Sequence, residues 1–126
     1  MKSCVVTENF ACDPNRLWLY MAKPTLNNWC TGVTGYEESA DGMQATETNR
    51  DGSVNAIQYT RKEKGRCMSG SFRNGKKNGN FTVILLGGGD STSLECTVEM
   101  NGLGFFGKPQ KLLQARMDLL HKAIGD

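Results

Sequence analysis

Histidine occurs once in these 126 residues, at His121, and no two of the five cysteines form a CxxC pair. That removes the usual spacings of zinc sites and dithiol redox motifs. Cys4, Cys12, Cys30, Cys67 and Cys96 are odd in number and widely scattered. They argue against a disulfide framework and read instead as small apolar core residues in a reducing compartment. No apolar run approaches the roughly 20 residues that span a bilayer. Glu8 and Asn9 interrupt the start too early for the apolar core of a signal peptide. A formal net charge of +2 gives no field of one sign, so no nucleic-acid partner and no membrane insertion are expected. Repeats, linkers and low-complexity tracts are absent from the sequence. The expectation is a single cytoplasmic domain over residues 1–126, with no metal and no cofactor.

What the chain does contain is regular punctuation. A short strand around Val5–Glu8 ends near Asn9, and Asp13-Pro14 then supplies an N-cap and a first helical proline. Leu17, Trp18 and Met21 give that helix a buried stripe, and Lys23-Pro24 stops it. A second short helix is expected over 24–29. Beyond it, turn signals recur about every ten residues: Asp41-Gly42, Asp51-Gly52, Lys64-Gly65, Asn74-Gly75 or Asn78-Gly79, and Gly87-Gly88-Gly89-Asp90. They divide the text into six strands at about 33–39, 43–49, 55–61, 66–73, 80–86 and 91–100. In the last, Leu94, Cys96, Val98 and Met100 alternate with Ser93, Glu95, Thr97 and Glu99, the mark of a sheet with one wet face. The amphipathic segment from Pro109 to about Gly125 is the only long helix available to cover the dry face. The fold class is therefore α+β: a seven-stranded curved antiparallel sheet wrapped around a long C-terminal helix, with two short helices after strand 1. This is a helix-grip arrangement, which leaves space between helix and sheet for side chains or for a ligand.

Leu17-Trp18, Trp29 and the tail Asn101-Gly102-Leu103-Gly104-Phe105-Phe106-Gly107-Lys108-Pro109 resemble the START-related SRPBCC superfamily, within it the polyketide cyclase/dehydrase-like branch. The resemblance covers essentially the whole chain. It implies the helix-grip fold and a cavity for a hydrophobic ligand, of modest size because the chain is short for the family. The superfamily spans lipid-transfer domains, aromatase/cyclases, plant hormone-binding proteins and Hsp90-activator homologues. No residue set here matches a proven catalytic centre of any branch.

Individual residues narrow the choice. Trp18 and Trp29 serve either as core or as pocket wall. Tyr59 and Phe72 share strand faces with Ile57, Met68 and Gly70, pointing toward the helix. Gly70 either leaves room there or marks a bulge. Arg61, Lys62, Lys64 and Arg66 fall at the opposite sheet end from Arg73, Lys76 and Lys77, so the two groups read as solvated turns rather than one phosphate site. The triple glycine lacks the Lys-Ser/Thr and following helix of a phosphate loop. His121 falls on the polar side of its helix, which disfavours a Cys–His pair. Among carboxylates, Glu47 shares parity with Met43 and Ala45 and is the best inward-facing one.

On the helical wheel Leu112, Leu113, Met117, Leu119, Leu120, Ala123 and Ile124 form one apolar arc, and Arg116 falls in its middle. A guanidinium there must be paired, wet or snorkelling. Either it pairs with Glu47, or it awaits an acidic or carbonyl group on a ligand. The expected site is thus Trp18, Trp29, Glu47, Tyr59, Phe72, Leu113, Arg116, Met117 and Leu120, holding a small hydrophobic or aromatic molecule without chemistry. The alternatives are a cyclase/dehydratase-like enzyme using polar groups of the cavity, and an Hsp90-activator-like interaction domain. With Arg116 placed for recognition, Arg116→Met is expected to be more stable yet blind to carboxylate-bearing ligands.

Overall fold

Turn glycines and alternating strands cooperate to make one sheet. In a computed structural model, which describes residues 1–125, the elements run β1 (Lys2–Phe10), α1 (Pro14–Ala22), a single 3-10 turn (Leu26–Asn28), β2 (Val33–Glu38), β3 (Gln44–Asn49), β4 (Val54–Glu63), β5 (Cys67–Asn74), β6 (Lys77–Gly88), β7 (Ser91–Asn101) and α2 (Pro109–Ile124). All neighbouring strands are antiparallel, in the order β1-β7-β6-β5-β4-β3-β2. The first strand therefore closes against the last. Gly42, Gly52, Gly65, Gly75 and Gly89 take left-handed φ at the five hairpin turns, as tight hairpins require. Asn74-Gly75, not Asn78-Gly79, makes the β5–β6 turn. Asn78 and Gly79 lie inside β6.

The expected second helix is reduced to the 3-10 turn, because Asn27 and Asn28 both adopt positive φ and cannot propagate a helix. Its neighbour α1 is well specified: the Asp13 carboxylate accepts from the backbone N–H groups of Asn15 (2.8 Å) and Arg16 (3.0 Å).

Curvature comes from two register shifts, one in β2 between Val33 and Gly35 and one in β4 between Tyr59 and Arg61. Gly70 sits opposite the second. A Cβ there would stand 2.2 Å from the Gln58 carbonyl oxygen and 2.9 Å from the Tyr59 Cα. Gly70 thus admits the partner backbone at a bulge and opens no space for a ligand.

The curved sheet clasps α2. The helix packs on β1 and β7 and against α1, while β3, β4 and β5 stand off from it. Leu17, Leu94 and Leu120 are fully buried where these elements meet, with Phe10, Met117 and Ile124 beside them. No helix among the described residues is long and apolar enough to cross a membrane.

Candidate functional site

The gap between α2 and the far half of the sheet is a cavity of about 400 Å³. Its walls are mainly apolar, with Ile57, Met68, Phe72, Phe81 and Val83 from the sheet facing Leu113, Met117 and Leu120 from α2. Three lining residues are exposed, Asp51, Lys77 and Leu112, and they mark the open end beside the start of α2.

Arg116 crosses this cavity. Its Nη1 and Nη2 each donate to one oxygen of Glu47, both at 2.9 Å, a bidentate pair spanning from α2 to β3. The Glu47 side chain is 4% exposed, that of Arg116 34%, so the carboxylate is buried and the guanidinium faces the cavity. Burial by itself raises the Glu47 carboxyl. The hydrogen bonds and charge of Arg116, with a hydrogen bond from Asn55, outweigh it and hold Glu47 below the ordinary carboxylate range. Burial likewise works against the Arg116 cation, and the Glu47 partner overrides it and raises the guanidinium further. Both groups are charged and mutually neutralised.

Trp29 supports the pair from the side. Its indole N–H donates to the carbonyls of Tyr20 (2.9 Å) and Lys23 (3.1 Å) at the end of α1. The locked ring presents its face to Arg116, whose Cζ lies 5.8 Å from the ring centroid. On the polar side, Asn74 Nδ2 donates to Asn55 Oδ1 (2.9 Å) and Asn55 Nδ2 to Glu47 Oε1 (3.1 Å). This amide chain connects the open end of the cavity to the ion pair.

Tyr59 packs edge-on against Phe81, their centroids 5.9 Å apart. The Tyr36 hydroxyl, beside that of Tyr59, donates to Glu38 at 2.7 Å. Burial raises both phenols above their ordinary value, so neither is ionised at neutral pH. Burial also raises the Cys30 thiol next to the ion pair, and raises Cys96 to about 12. Neither thiol is a ready nucleophile. No cluster of three His, Cys, Asp or Glu side chains able to hold a metal occurs among the described residues.

The structure brings Trp29, Glu47, Tyr59, Phe72, Leu113, Arg116, Met117 and Leu120 to the cavity wall and leaves Trp18 out of it. Trp18 is buried core, on the face of α1 that packs against β6, β7 and α2. Met21, one helical turn on, is the α1 residue that reaches the cavity. His121 is also corrected. Instead of facing solvent, it stacks on Phe10 with centroids 4.1 Å apart and contacts Glu8 at 3.0 Å, because that edge of α2 lies on β1. Gln114 joins it, donating to Glu8 at 2.7 Å. Removing the Arg116 charge would strand the buried Glu47, which reverses the gain in stability expected for Arg116→Met.

Among the lining residues that escaped the sequence reading, Tyr36, Asn55 and Phe81 are the most informative. Tyr36 was hidden because the register shift in β2 breaks simple parity. Asn55 pairs in register with Glu47, so knowing the β3–β4 register would have found it. Phe81 stands on β6 opposite Gly70, where strand alternation alone would have pointed to it.

Comparison with known proteins bears on the fold. No family model matches the chain, and no curated protein matches it in sequence. Among solved structures it is similar to the protein XoxI from Bacillus cereus, with a TM-score of 0.77 at 14% identity over 100% of this chain and 97% of that one. It is similar to a START superfamily protein from Mycobacterium smegmatis, with a TM-score of 0.73 at 16% identity over 98% and 94%. An HSP90 activator from Plasmodium falciparum aligns with a TM-score of 0.76 at 14% identity over 99% and 97%. The chain has the START-related helix-grip fold.

Proposed function

From a START-related helix-grip fold with an open cavity, we propose that this protein binds a small, uncharged hydrophobic or aromatic molecule between sheet and α2. The observation that carries this reading is the cavity of about 400 Å³ whose single buried ion pair is already neutralised. A volume of that order suits a small ligand, and apolar walls supply affinity while few polar groups supply orientation. Two of the five guanidinium N–H donors are spent on Glu47, leaving three for a carbonyl or hydroxyl. A second carboxylate would have to compete with Glu47 for Arg116, so the polar end of the ligand is a neutral acceptor rather than an acid.

Cyclase or dehydratase chemistry finds less support. Glu47, clamped and ionised, is a poor proton donor at neutral pH, and its lone pairs are committed to Arg116 and Asn55. A protein-interaction role like that of the Plasmodium neighbour does not call for an open apolar cavity.

Two dyes of matched shape test the reading: neutral N-phenylnaphthylamine and its sulfonated analogue, anilinonaphthalene sulfonate. The expected result is saturable fluorescence enhancement with the neutral dye and at least tenfold weaker binding of the sulfonate. Equal binding of both, or tighter binding of the sulfonate, would overturn the neutral-ligand reading, and no saturable binding of either would overturn the cavity reading. Native mass spectrometry of protein from its own host then identifies any retained molecule.

A further inference from the structure

The most exposed aromatic side chains of the molecule do not line the cavity. Phe105 and Phe106, each 88% exposed, project from the loop between β7 and α2 and pack against each other edge-to-face at 5.0 Å. Two adjacent rings left this bare are an unusual use of large apolar area. The loop beneath them is organised. The Lys2 ammonium donates to the carbonyls of Gly104 (2.8 Å), Phe105 (3.0 Å) and Gly107, gathering the backbone around one cation and leaving the rings outside.

Basic residues outnumber acidic ones around this tip, where Asp118 shares a groove with Lys108 and Lys111 and Asp51 lies beside Lys77. From Met100 to Met117 the sequence carries no acidic residue, and Lys108 and Lys111 are exposed there. Gly102 lies directly against the backbone of Lys76 and Lys77, which brings the β5–β6 turn and its exposed Arg73, Lys76 and Lys77 beside the loop. No acidic residue occurs from Lys64 to Gly89 either. Read along the sequence, Arg73, Lys76 and Lys77 form an isolated turn. In the fold the Gly102 contact sets them beside the loop that runs through the phenylalanine pair to Lys108 and Lys111, and together these make up a basic rim at the tip. The same rim borders the open end of the cavity, since Lys77, Pro109 and Leu112 line it.

We propose that this tip is a docking surface for an anionic lipid membrane, with Phe105 and Phe106 entering the interfacial layer and the basic rim meeting lipid headgroups. Peripheral adsorption of this kind needs apolar side chains at a tip together with a cationic surround, since either signal alone binds weakly. Each basic residue near an anionic surface contributes about fivefold in partitioning, and the attraction fades as salt shortens the screening length. The inference goes beyond the ligand reading and stands without it, because neither phenylalanine lines the cavity.

Vesicle sedimentation tests it, using phosphatidylcholine vesicles with and without about one-third phosphatidylserine. The wild type should partition onto the anionic vesicles at least tenfold more strongly than onto the neutral ones, and half-molar salt should abolish the difference. Phe105→Ser/Phe106→Ser should lose at least tenfold of that partitioning at an unchanged melting temperature, as should Lys108→Gln/Lys111→Gln. In Phe106→Trp, fluorescence should shift to the blue on adding anionic vesicles, against a constant background from buried Trp18 and Trp29. Equal partitioning of the wild type and the phenylalanine variant, or no binding to either vesicle, would overturn the proposal. So would a lipid-free dimer in sedimentation velocity that the phenylalanine variant converts to monomer, which would make the tip an interface between copies. Dye binding, measured on the same variants, reads the cavity separately.

Discussion

At the scale of single residues, Arg116 and Glu47 show why a charge can sit in the middle of an apolar helix face. The guanidinium stays partly open to the cavity, and the carboxylate it neutralises is the buried member. Cutting one side of such a pair strands the other, at a cost of about 3–5 kcal/mol when both partners are buried. Because Arg116 keeps a third of its exposure, we expect Arg116→Met to lose about 2–3 kcal/mol. That corresponds to a fall of about 10 °C in melting temperature. The double variant Arg116→Met/Glu47→Leu should recover at least half of this loss; a double variant less stable than the single would show the pair is not what holds the site. The pair also sets an acid limit. Glu47 is held below its unfolded value, so its contribution is complete above about pH 4.3 and disappears as pH falls through the lower folded value. Glu8, lowered by Gln114 and His121, acts in the same direction. Urea midpoints measured from about pH 6 down to pH 3 should fall steeply for the wild type and less steeply for the double variant.

At the scale of elements, local chemistry explains what the sequence made legible and what it hid. Turn glycines, the Asp13-Pro14 cap and the alternation in β7 act through the nearest few residues, so the strands, α1, α2 and their order could be read directly. The same is true of Glu47 and Arg116, whose faces follow from strand parity and helical period. Trp18, His121 and Tyr36 were not legible, because each depends on something non-local: which element covers α1, which edge of α2 meets β1, and where β2 shifts register. Gly70 belongs with these, since only the partner strand shows that its missing Cβ serves backbone approach. Gly70→Ala should therefore push β4 and β5 apart at the bulge and cost about 2–3 kcal/mol in denaturant unfolding. A neutral outcome would mean the bulge is plastic. Asp13→Ala removes two accepted hydrogen bonds at the start of α1 and should cost about 1 kcal/mol, read in the same assay.

At the scale of the whole molecule, the cavity is a place where packing is deliberately incomplete. A ligand that fills it adds stability by mass action, about 2.7 kcal/mol at a hundredfold excess over its dissociation constant. Thermal shift with the neutral dye should follow that relation in the wild type. Leu113→Trp, which grows a side chain into the same space, should melt at least as high as the wild type and show no shift with dye. A shift of undiminished size would place the dye elsewhere on the surface.

The closure of the first strand onto the last has a further consequence, in the timing of biosynthesis. β1 is made before every other element of this sheet, yet its partner β7 follows all the other strands, and α2, which packs on β1, comes after that. Until β7 has left the ribosome, the nascent β1 has neither its neighbour nor its cover, and the β2–β6 meander must form without it. Nascent chains arrested before Ser91 should accordingly be cut by protease within residues 2–10, and chains extended beyond Gly125 should resist. Protection of β1 at the shorter length would mean that another surface, a chaperone or a non-native pairing, holds the strand while it waits.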